Sequence, residues 1–198
     1  MVGGYPSTVV WEHHGRTCLH EAALTPVFED GERSVGTTVV DGVPFELLGE
    51  RADAVESQRP SSEIVGWVLE CDCRRLDDRI DESKSDRWVA RRRWSRVPSA
   101  SLEFVERGRV FAGDDDVSCA GDRDDVREAA QDVWMREHIE PLDVDDEIRA
   151  AVTARREADD QLAAAVSKAR QVGLSWARIG AAVGITAQSA HERWNGRS

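Results

Sequence analysis

Cysteine is scarce in this 198-residue chain, and its four cysteines follow no regular spacing: Cys18, Cys71, Cys73 and Cys119. The disulfide framework of a secreted protein has more cysteines at a more regular spacing, so we expect these thiols to be reduced. The chain also lacks an apolar run of about 18 residues and a basic leader followed by an apolar segment. These absences predict a cytoplasmic protein that does not enter a membrane.

Motifs that mark an active site are absent as well. The sequence contains no Gly-rich phosphate loop, no Gly-x-Ser-x-Gly elbow and no His-Glu-x-x-His pair. The adjacent His13 and His14 have no neighbouring nucleophile that the sequence identifies. We therefore expect no catalytic residues and no enzymatic activity, and no cofactor is indicated.

Negative charge dominates the chain but is unevenly distributed. The net charge is −12, which taken alone disfavours a nucleic-acid binder. From Ile148 to the C-terminus, however, eight basic residues stand against four acidic ones. This segment carries +4, so residues 1–147 carry −16. The division favours a modestly basic binding module attached to an acidic body.

The most informative stretch runs from Leu174 to Trp194, where apolar and capping residues follow a helical spacing. Ser175 can cap a first helix, and Gly184 can end it in the left-handed conformation. Gly180 lies on the side where a second helix must pass closely. The predicted buried face of the first helix comprises Trp176, Ile179 and Val183. The spacing predicts two short helices joined by a tight turn.

The second predicted helix begins after Thr186, which can cap it, and Ala190 faces back toward Gly180. A helical hairpin that only packs is the structural alternative. The combined spacing of small residues and turn residues favours a helix-turn-helix whose second helix lies in the DNA major groove. The candidate DNA-binding residues are Arg178, Thr186, Ala187, Gln188, Ser189, His191, Arg193 and Arg197.

A family resemblance rests on the segment 163–194, AAAVSKARQVGLSWARIGAAVGITAQSAHERW. It resembles the C-terminal helix-turn-helix of small regulator-like proteins of high-GC actinobacteria and their phages, and is distantly similar to region 4 of sigma factors. The resemblance implies DNA binding by the helix from Ala187 to Trp194. Recognition helices of this kind often carry an Arg where this chain has Ala187 or Ser189, which implies sparse contacts with base edges.

From Val144 to Gln171 the sequence pattern is helical almost without interruption. Apolar residues recur at alternating spacings of four and three, with a polar stretch at residues 155–160. The segment is either one long linking helix or a helix that bends near Glu157. Such a seam can bury against a second copy of the chain, so a homodimer through residues 144–171 is a hypothesis of this pattern.

Residues 1–60 are predicted to form β structure. The clearest signal is a hairpin in which Thr37–Val40 and Val43–Leu48 are joined by Asp41-Gly42, a dipeptide suited to a tight turn. Pro44 cannot donate a backbone hydrogen bond, which predicts that this hairpin lies at a sheet edge. The polar residues 50–62 are predicted to form a loop.

Two further strands are predicted at Ile64–Cys73 and Trp88–Val97, joined by a solvated loop. The run Arg91-Arg92-Arg93 can touch a phosphate backbone, but we expect it to pair with neighbouring carboxylates. A helix is predicted from about Arg123 to Ile139, capped by Asp122 and ended by Pro141.

Six residues of metal-ligand type stand in two groups along the chain: His13, His14, Cys18, His20, Cys71 and Cys73. Zinc sites favour Cys pairs separated by two to four residues, and a Cys-x-Cys pair on a strand is expected to suit a single tetrahedral ion poorly. Ordinary buried cysteines and exposed histidines, with no metal site, are therefore the expectation. A cross-strand zinc site built from both groups is the alternative.

Together these patterns predict an α+β protein. A β-rich N-terminal domain with one or two helices would occupy residues 1–140, and a linking helix with a trihelical helix-turn-helix would occupy residues 141–198. The predicted function is sequence-specific binding to double-stranded DNA in a transcriptional regulator. The alternative is an adaptor that docks on RNA polymerase, a sigma factor or another regulator.

Overall fold

The computed structural model describes residues 10–49, 55–75 and 86–196, and it confirms the predicted α+β class. The chain divides into two compact units, Met1–Val144 and Asp145–Ser198. The described part of the first unit is rich in strands, and that of the second is helical. No helix among these residues is both long enough and apolar enough to cross a lipid bilayer.

The strands of the first unit form two sheets. In chain order they are β1 (Val10–His14), β2 (Cys18–Val27), β3 (Ser34–Val40), β4 (Val43–Gly49), β5 (Val55–Pro60), β6 (Gly66–Arg75), β7 (Asp86–Val97) and β8 (Arg109–Phe111). The larger sheet has the order β1-β2-β6-β7-β8, and the smaller has the order β3-β4-β5. The two strands predicted at Ile64–Cys73 and Trp88–Val97 are confirmed as the antiparallel pair β6 and β7. The loop predicted between them lies outside the described residues, apart from its ends.

The predicted hairpin is present as β3 and β4. Asp41 and Gly42 both have positive φ angles, 51° and 82°, as a two-residue turn of this kind requires. The hairpin lies at a sheet edge through β3, but β4, which carries Pro44, is the central strand between β3 and β5. β5 pairs with β4 only from Phe45 onward, so the missing N–H of Pro44 costs no hydrogen bond with β5.

The loop predicted at residues 50–62 is also corrected. Val55–Pro60 form β5, and Ser61–Glu63 form a 3-10 turn. Most side chains of β5 are exposed, so the strand lacks the alternation of apolar and polar residues by which a sequence reveals a half-buried strand. Residues 50–54 lie outside the described residues.

A long helical segment follows the sheets. It consists of α1 (Asp124–Trp134), one wider π-helical turn (Met135–Ile139) and α2 (Glu140–Gln171). The predicted cap is wrong, since Arg123 rather than Asp122 occupies the N-cap and no side chain there accepts a hydrogen bond.

The predicted end at Pro141 is also wrong, because the helix continues through this residue. The Glu140 N–H bonds to the Met135 carbonyl five residues back. This wide turn lies directly before Pro141, where it relieves the crowding that a proline ring causes with the preceding helical turn. α2 then runs without a break through Glu157.

The helical segment and the larger sheet share the core of the first unit. The α1 side chains buried there are Val126, Ala130, Val133 and Trp134. The wide turn adds His138 and Ile139. Trp67 of β6 and Trp94 of β7 are almost fully buried in the same core. Each buried tryptophan removes about 150–250 Å² from water, worth roughly 4–6 kcal/mol before entropy costs.

A buried carboxylate connects the smaller sheet to its surroundings. Glu46 of β4 is fully buried, and its oxygens accept hydrogen bonds from Ser34, Thr37 and Ser61 at 2.6, 2.9 and 2.7 Å. Because a buried charge without partners would cost several kcal/mol, these three hydroxyl groups are needed to hold Glu46 in place. They join β3, β4 and the 3-10 turn after β5.

The second unit contains α2 from Asp145 onward and two short helices, α3 (Trp176–Val183) and α4 (Ala187–Trp194). Side chains from all three helices form one small apolar cluster. Its buried members are Val166, Ile179, Ala190 and Trp194, and Leu162, Leu174 and Ile185 are among the partly buried residues around them.

Gly108 and Gly31 offer a matched test of backbone crowding in the first unit. Both have positive φ angles, 72° and 87°, so alanine strains the backbone at either position. A Cβ atom on Gly108 would also collide with the Arg93 carbonyl oxygen, whereas one on Gly31 meets nothing within 4 Å.

We predict that Gly31→Ala lowers the free energy of unfolding by about 1–2 kcal/mol and that Gly108→Ala lowers it by about 2 kcal/mol more. Urea unfolding followed by tryptophan fluorescence measures both losses. Equal losses would contradict the close approach of residue 108 to β7.

Candidate functional site

The backbone of α3 makes a very close contact with the turn before α4 at Gly180. The N–H groups of Gly184 and Ile185 both donate to the Gly180 carbonyl, the latter at 2.9 Å, which is a Schellman ending of the helix. A Cβ atom on Gly180 would lie 2.7 Å from the Ile185 oxygen and 2.9 Å from the Thr186 oxygen. Any larger residue would therefore displace the turn.

Both short helices have the predicted caps. The Ser175 hydroxyl accepts a hydrogen bond from the Arg178 N–H at 3.3 Å, and the Thr186 hydroxyl accepts one from the Ser189 N–H at 3.1 Å. Gly184 ends α3 with a φ of 75°. Each side-chain cap stabilises its helix by about 1 kcal/mol, which matters because isolated helices of this length do not persist in water.

The inward faces of α3 and α4 meet in the small core. Their buried residues are Ile179, Gly180, Ala190 and Trp194. Trp176 and Val183 were predicted to be buried but are only partly so. The Arg170 guanidinium lies 4.6 Å above the Trp176 ring, and the His191 ring meets it edge-on at 5.4 Å. Trp176 thus contacts residues from both neighbouring helices.

Most of the predicted DNA-binding residues are exposed on α3, the turn and α4. Those that the structure describes are Arg178, Thr186, Ala187, Gln188, Ser189, His191 and Arg193. Arg197 lies outside the described residues. At 3.6 residues per turn, Gln188 and Glu192 point away from the buried Ala190 and Trp194. The outward face of α4 is therefore polar and bears one carboxylate.

Besides the Thr186 cap and the His191 ring contact, Gln188 and Arg193 also have partners within the second unit. The Gln188 amide donates to the Glu192 carboxylate at 2.9 Å, and the Arg193 guanidinium lies 3.5 Å from the Asp159 carboxylate of α2. Exposed contacts of this kind contribute little free energy. They can exchange for contacts with another molecule.

A second group of chemically capable side chains lies in the first unit. His20 of β2, Cys71 and Cys73 of β6, and His138 of the wide turn place their ligand-type atoms within 4.8 Å of one another. The Cys73 sulfur lies 3.2 Å from His138 Nε2, the Cys71 sulfur lies 3.9 Å from His20 Nδ1, and the two sulfurs are 4.0 Å apart. This histidine-cysteine cluster is buried except at Cys73, which is partly buried.

The structure brings together only part of the set of ligand-type residues found in the sequence. His20 lies directly opposite Cys73 in the β2–β6 pairing. His13 instead pairs with Asp143, with 3.1 Å between Nε2 and Oδ1. His14 is exposed, and the Cys18 sulfur contacts the Thr17 hydroxyl at 3.6 Å.

The expectation that the Cys-x-Cys spacing suits a single ion poorly is wrong for Cys71 and Cys73. Their side chains point to one face of β6, and the sulfurs approach to 4.0 Å. This distance is close to the separation of about 3.8 Å between two thiolates on a tetrahedral zinc ion.

The pKa values of the two thiols in the cluster are shifted in opposite directions. A hydrogen bond from the Cys73 thiol lowers the pKa of Cys71, with a smaller contribution from the Trp134 indole, although burial acts in the opposite direction. The same thiol contact, together with burial, raises the pKa of Cys73. The first proton therefore leaves the pair more easily than from an ordinary cysteine, and the second is held more tightly.

Sequence reasoning missed His138. The available signal was its position four residues after Trp134 and eight after Ala130, on the buried face of a helix. The wide turn could not be predicted from residue types, and it buries both His138 and Ile139. A helix predicted to end at this point gave no reason to look for a partner on the sheet.

When the chain is compared with models of protein families, with curated proteins and with solved structures, none of the three comparisons finds a match.

Leucine substitutions at the adjacent Gly180 and Ala181 test the contact between α3 and the turn. A side chain at position 180 collides with the turn backbone, whereas Ala181 is exposed. We predict that Gly180→Leu destabilises the second unit by about 3 kcal/mol or more and that Ala181→Leu changes its stability by less than about 1 kcal/mol. Hydrogen exchange of peptides from residues 174–196, measured by mass spectrometry, reports the local opening. Equal protection in both variants would refute the close contact.

Proposed function

We propose that the chain is a sequence-specific DNA-binding protein, a transcriptional regulator, in which α3 and α4 act as a helix-turn-helix. The observation that carries this proposal is the contact of Gly180 with the turn backbone. It holds α4 close to α3 while the outward side of α4 stays exposed. In helix-turn-helix proteins, the second helix lies in the major groove and its N-terminal residues contact base edges.

Gln188 is the side chain best suited to contact a base. It lies in the first turn of α4, and its amide can form two hydrogen bonds with the N6 and N7 edge of adenine. In the free protein this amide donates to Glu192, so binding exchanges one hydrogen bond for two. The bond that is lost is an exposed contact within one helix, worth about 0.5 kcal/mol or less.

Arg178 and Arg193 are suited to phosphate contacts. Arg178 is exposed in the first turn of α3, the helix that crosses the DNA backbone in such motifs. Arg193 has an exposed ion pair with Asp159 to exchange, and its guanidinium also lies 5.1 Å from the centre of the Trp194 ring. The charge of +4 from Ile148 onward supports attraction to DNA, whereas the −16 of residues 1–147 opposes it. We therefore expect binding to weaken steeply with salt.

A dimer through α2 would present two copies of α4 to a pair of half-sites. Ile148 and Val152 are 57% and 44% exposed, and their spacing of four places them on one face of the helix. The polar stretch at residues 155–160 is exposed as well. These exposed apolar side chains support the proposal of a helix-to-helix contact with a second copy of the chain.

Glu192 favours a second candidate function. Its carboxylate lies on the outward face of α4, and DNA presents phosphates and many acceptor atoms to such a face. A negative side chain in this position suits a basic protein surface better. The alternative proposal is therefore an adaptor in which the second unit docks on RNA polymerase, a sigma factor or another regulator.

Two glutamine variants test whether Gln188 contacts a base. The DNA is a duplex that the full-length protein has selected from a random pool of fragments. We predict that Gln188→Ala weakens binding to the selected duplex by about 1–3 kcal/mol, or about 5- to 150-fold, because one bidentate contact is lost. Its binding to random duplexes should not change. Gln161→Ala, at an exposed glutamine of α2, is the matched control and should change neither. Equal losses on selected and random duplexes in anisotropy titrations would rule out base contact by Gln188.

Arginine variants test the phosphate contacts. Arg178→Gln and Arg193→Gln should each weaken binding to all duplexes. Each should also reduce the slope of log K against log salt concentration by about one, because one phosphate contact fewer releases about one counterion fewer from the DNA. Arg16→Gln, at an exposed arginine of the first unit, is the control and should leave the slope unchanged. A chain that captures polymerase components but shows no salt-dependent DNA binding would support the adaptor in place of the regulator.

A further inference from the structure

The histidine-cysteine cluster has the dimensions of a tetrahedral metal site. With zinc-to-sulfur bonds of about 2.3 Å and zinc-to-nitrogen bonds of about 2.0–2.1 Å, the ligand atoms of a zinc ion lie about 3.3–3.8 Å apart. The separations between neighbouring ligand atoms, 3.2, 3.9 and 4.0 Å, differ from this range by a few tenths of an ångström at most, and all four ligand atoms lie within 4.8 Å of one another. Each of the four residues supplies one ligand atom to the same small volume.

Neighbouring aromatic rings hold the two imidazoles in place. Trp88 stacks on His138 with 4.6 Å between ring centroids and 20° between planes. The His20 and His138 rings meet edge-on at 5.2 Å. Both histidines are buried, with 3% and 9% of their surface exposed. The ligand orientations are therefore largely fixed by packing in the core, as a well-formed metal site requires.

A buried donor beside the cluster provides a further observation. Trp134 Nε1 is buried and reaches no acceptor at hydrogen-bonding geometry among the described residues. Its indole lies beside the Cys71 side chain. A thiolate is a stronger acceptor than a thiol, so two thiolates held at this position would give the indole N–H a partner.

We propose that His20, Cys71, Cys73 and His138 together bind one Zn²⁺ ion. All four positions of the tetrahedron are filled by side chains, so the site is structural and has no open position for a substrate. Two nitrogens and two sulfurs form a donor set that selects zinc over the oxygen-binding ions calcium and magnesium. Binding deprotonates both thiols, and their protons pass to solvent.

The ion would connect three segments that are distant in sequence. His20 and Cys71 are 51 residues apart, and Cys73 and His138 are 65 apart. A link between such distant positions removes conformational entropy from the unfolded chain. It would also stabilise the wide turn Met135–Ile139, because His138 would be bonded to the ion through its Nε2. Wide helical turns of this type occur frequently at functional sites.

Metal content of the full-length protein, purified under reducing conditions, tests the proposal. We expect one zinc per chain in the wild type and in two control variants, Cys119→Ser and His14→Gln, whose side chains are exposed. Cys73→Ser and His138→Gln should lose the zinc. A wild-type protein without zinc that also takes up none from added zinc salt would overturn the proposal, and so would iron in place of zinc.

A measurement on the unaltered chain separates loss of metal from failure to fold. Removal of zinc by a chelator should lower the melting temperature of the wild type by about 5 °C or more, and added zinc should restore it. Cobalt(II) added to the zinc-free wild type should give the visible absorption of a tetrahedral ion together with a thiolate charge-transfer band. An unchanged melting temperature, or a cobalt spectrum without thiolate bands, would contradict the four-ligand site.

Discussion

The first unit depends on the wide helical turn Met135–Ile139. Its hydrogen bond from Glu140 to Met135 spans five residues, and the helix accordingly continues through Pro141 instead of ending there. The turn buries Ile139 in the core and directs His138 to the cysteines of β6. A regular α-helical turn would place the side chains that follow Trp134 at a different angle about the helix axis. The position of His138 in the histidine-cysteine cluster and the start of α2 both follow from this local geometry.

The second unit depends on a different constraint, the absence of a side chain at Gly180. With four buried apolar side chains in its core among the described residues, this unit gains little stabilisation from burial. Its short helices therefore rely on the caps at Ser175 and Thr186 and on the turn ending at Gly184. These same features leave the polar side of α4 exposed. The buried face of α4 thus stabilises the unit, and the opposite, exposed face of this eight-residue helix would make the proposed DNA contact.

Sequence reasoning succeeded where a residue type has a local physical meaning. The Asp41-Gly42 turn, the Ser175 and Thr186 caps and the left-handed Gly184 are all of this kind. It failed where the outcome depends on distant partners or on a backbone geometry that residue types do not reveal. The polar β5 is a strand because it pairs with β4, and Pro141 is tolerated because of the turn before it. His138 lies 65 residues from Cys73 in sequence, so no spacing rule could bring the two together.

Hydrogen exchange of the full chain, with and without a selected DNA duplex, tests the central claim most directly. If α4 binds the major groove, protection on DNA binding is concentrated in residues 176–194, with little change in the strands of the first unit. Glu192 and Gln188 would then lie within the protected region. Protection that appears instead along β7, around Arg91–Arg93, and leaves α4 unchanged would contradict the account.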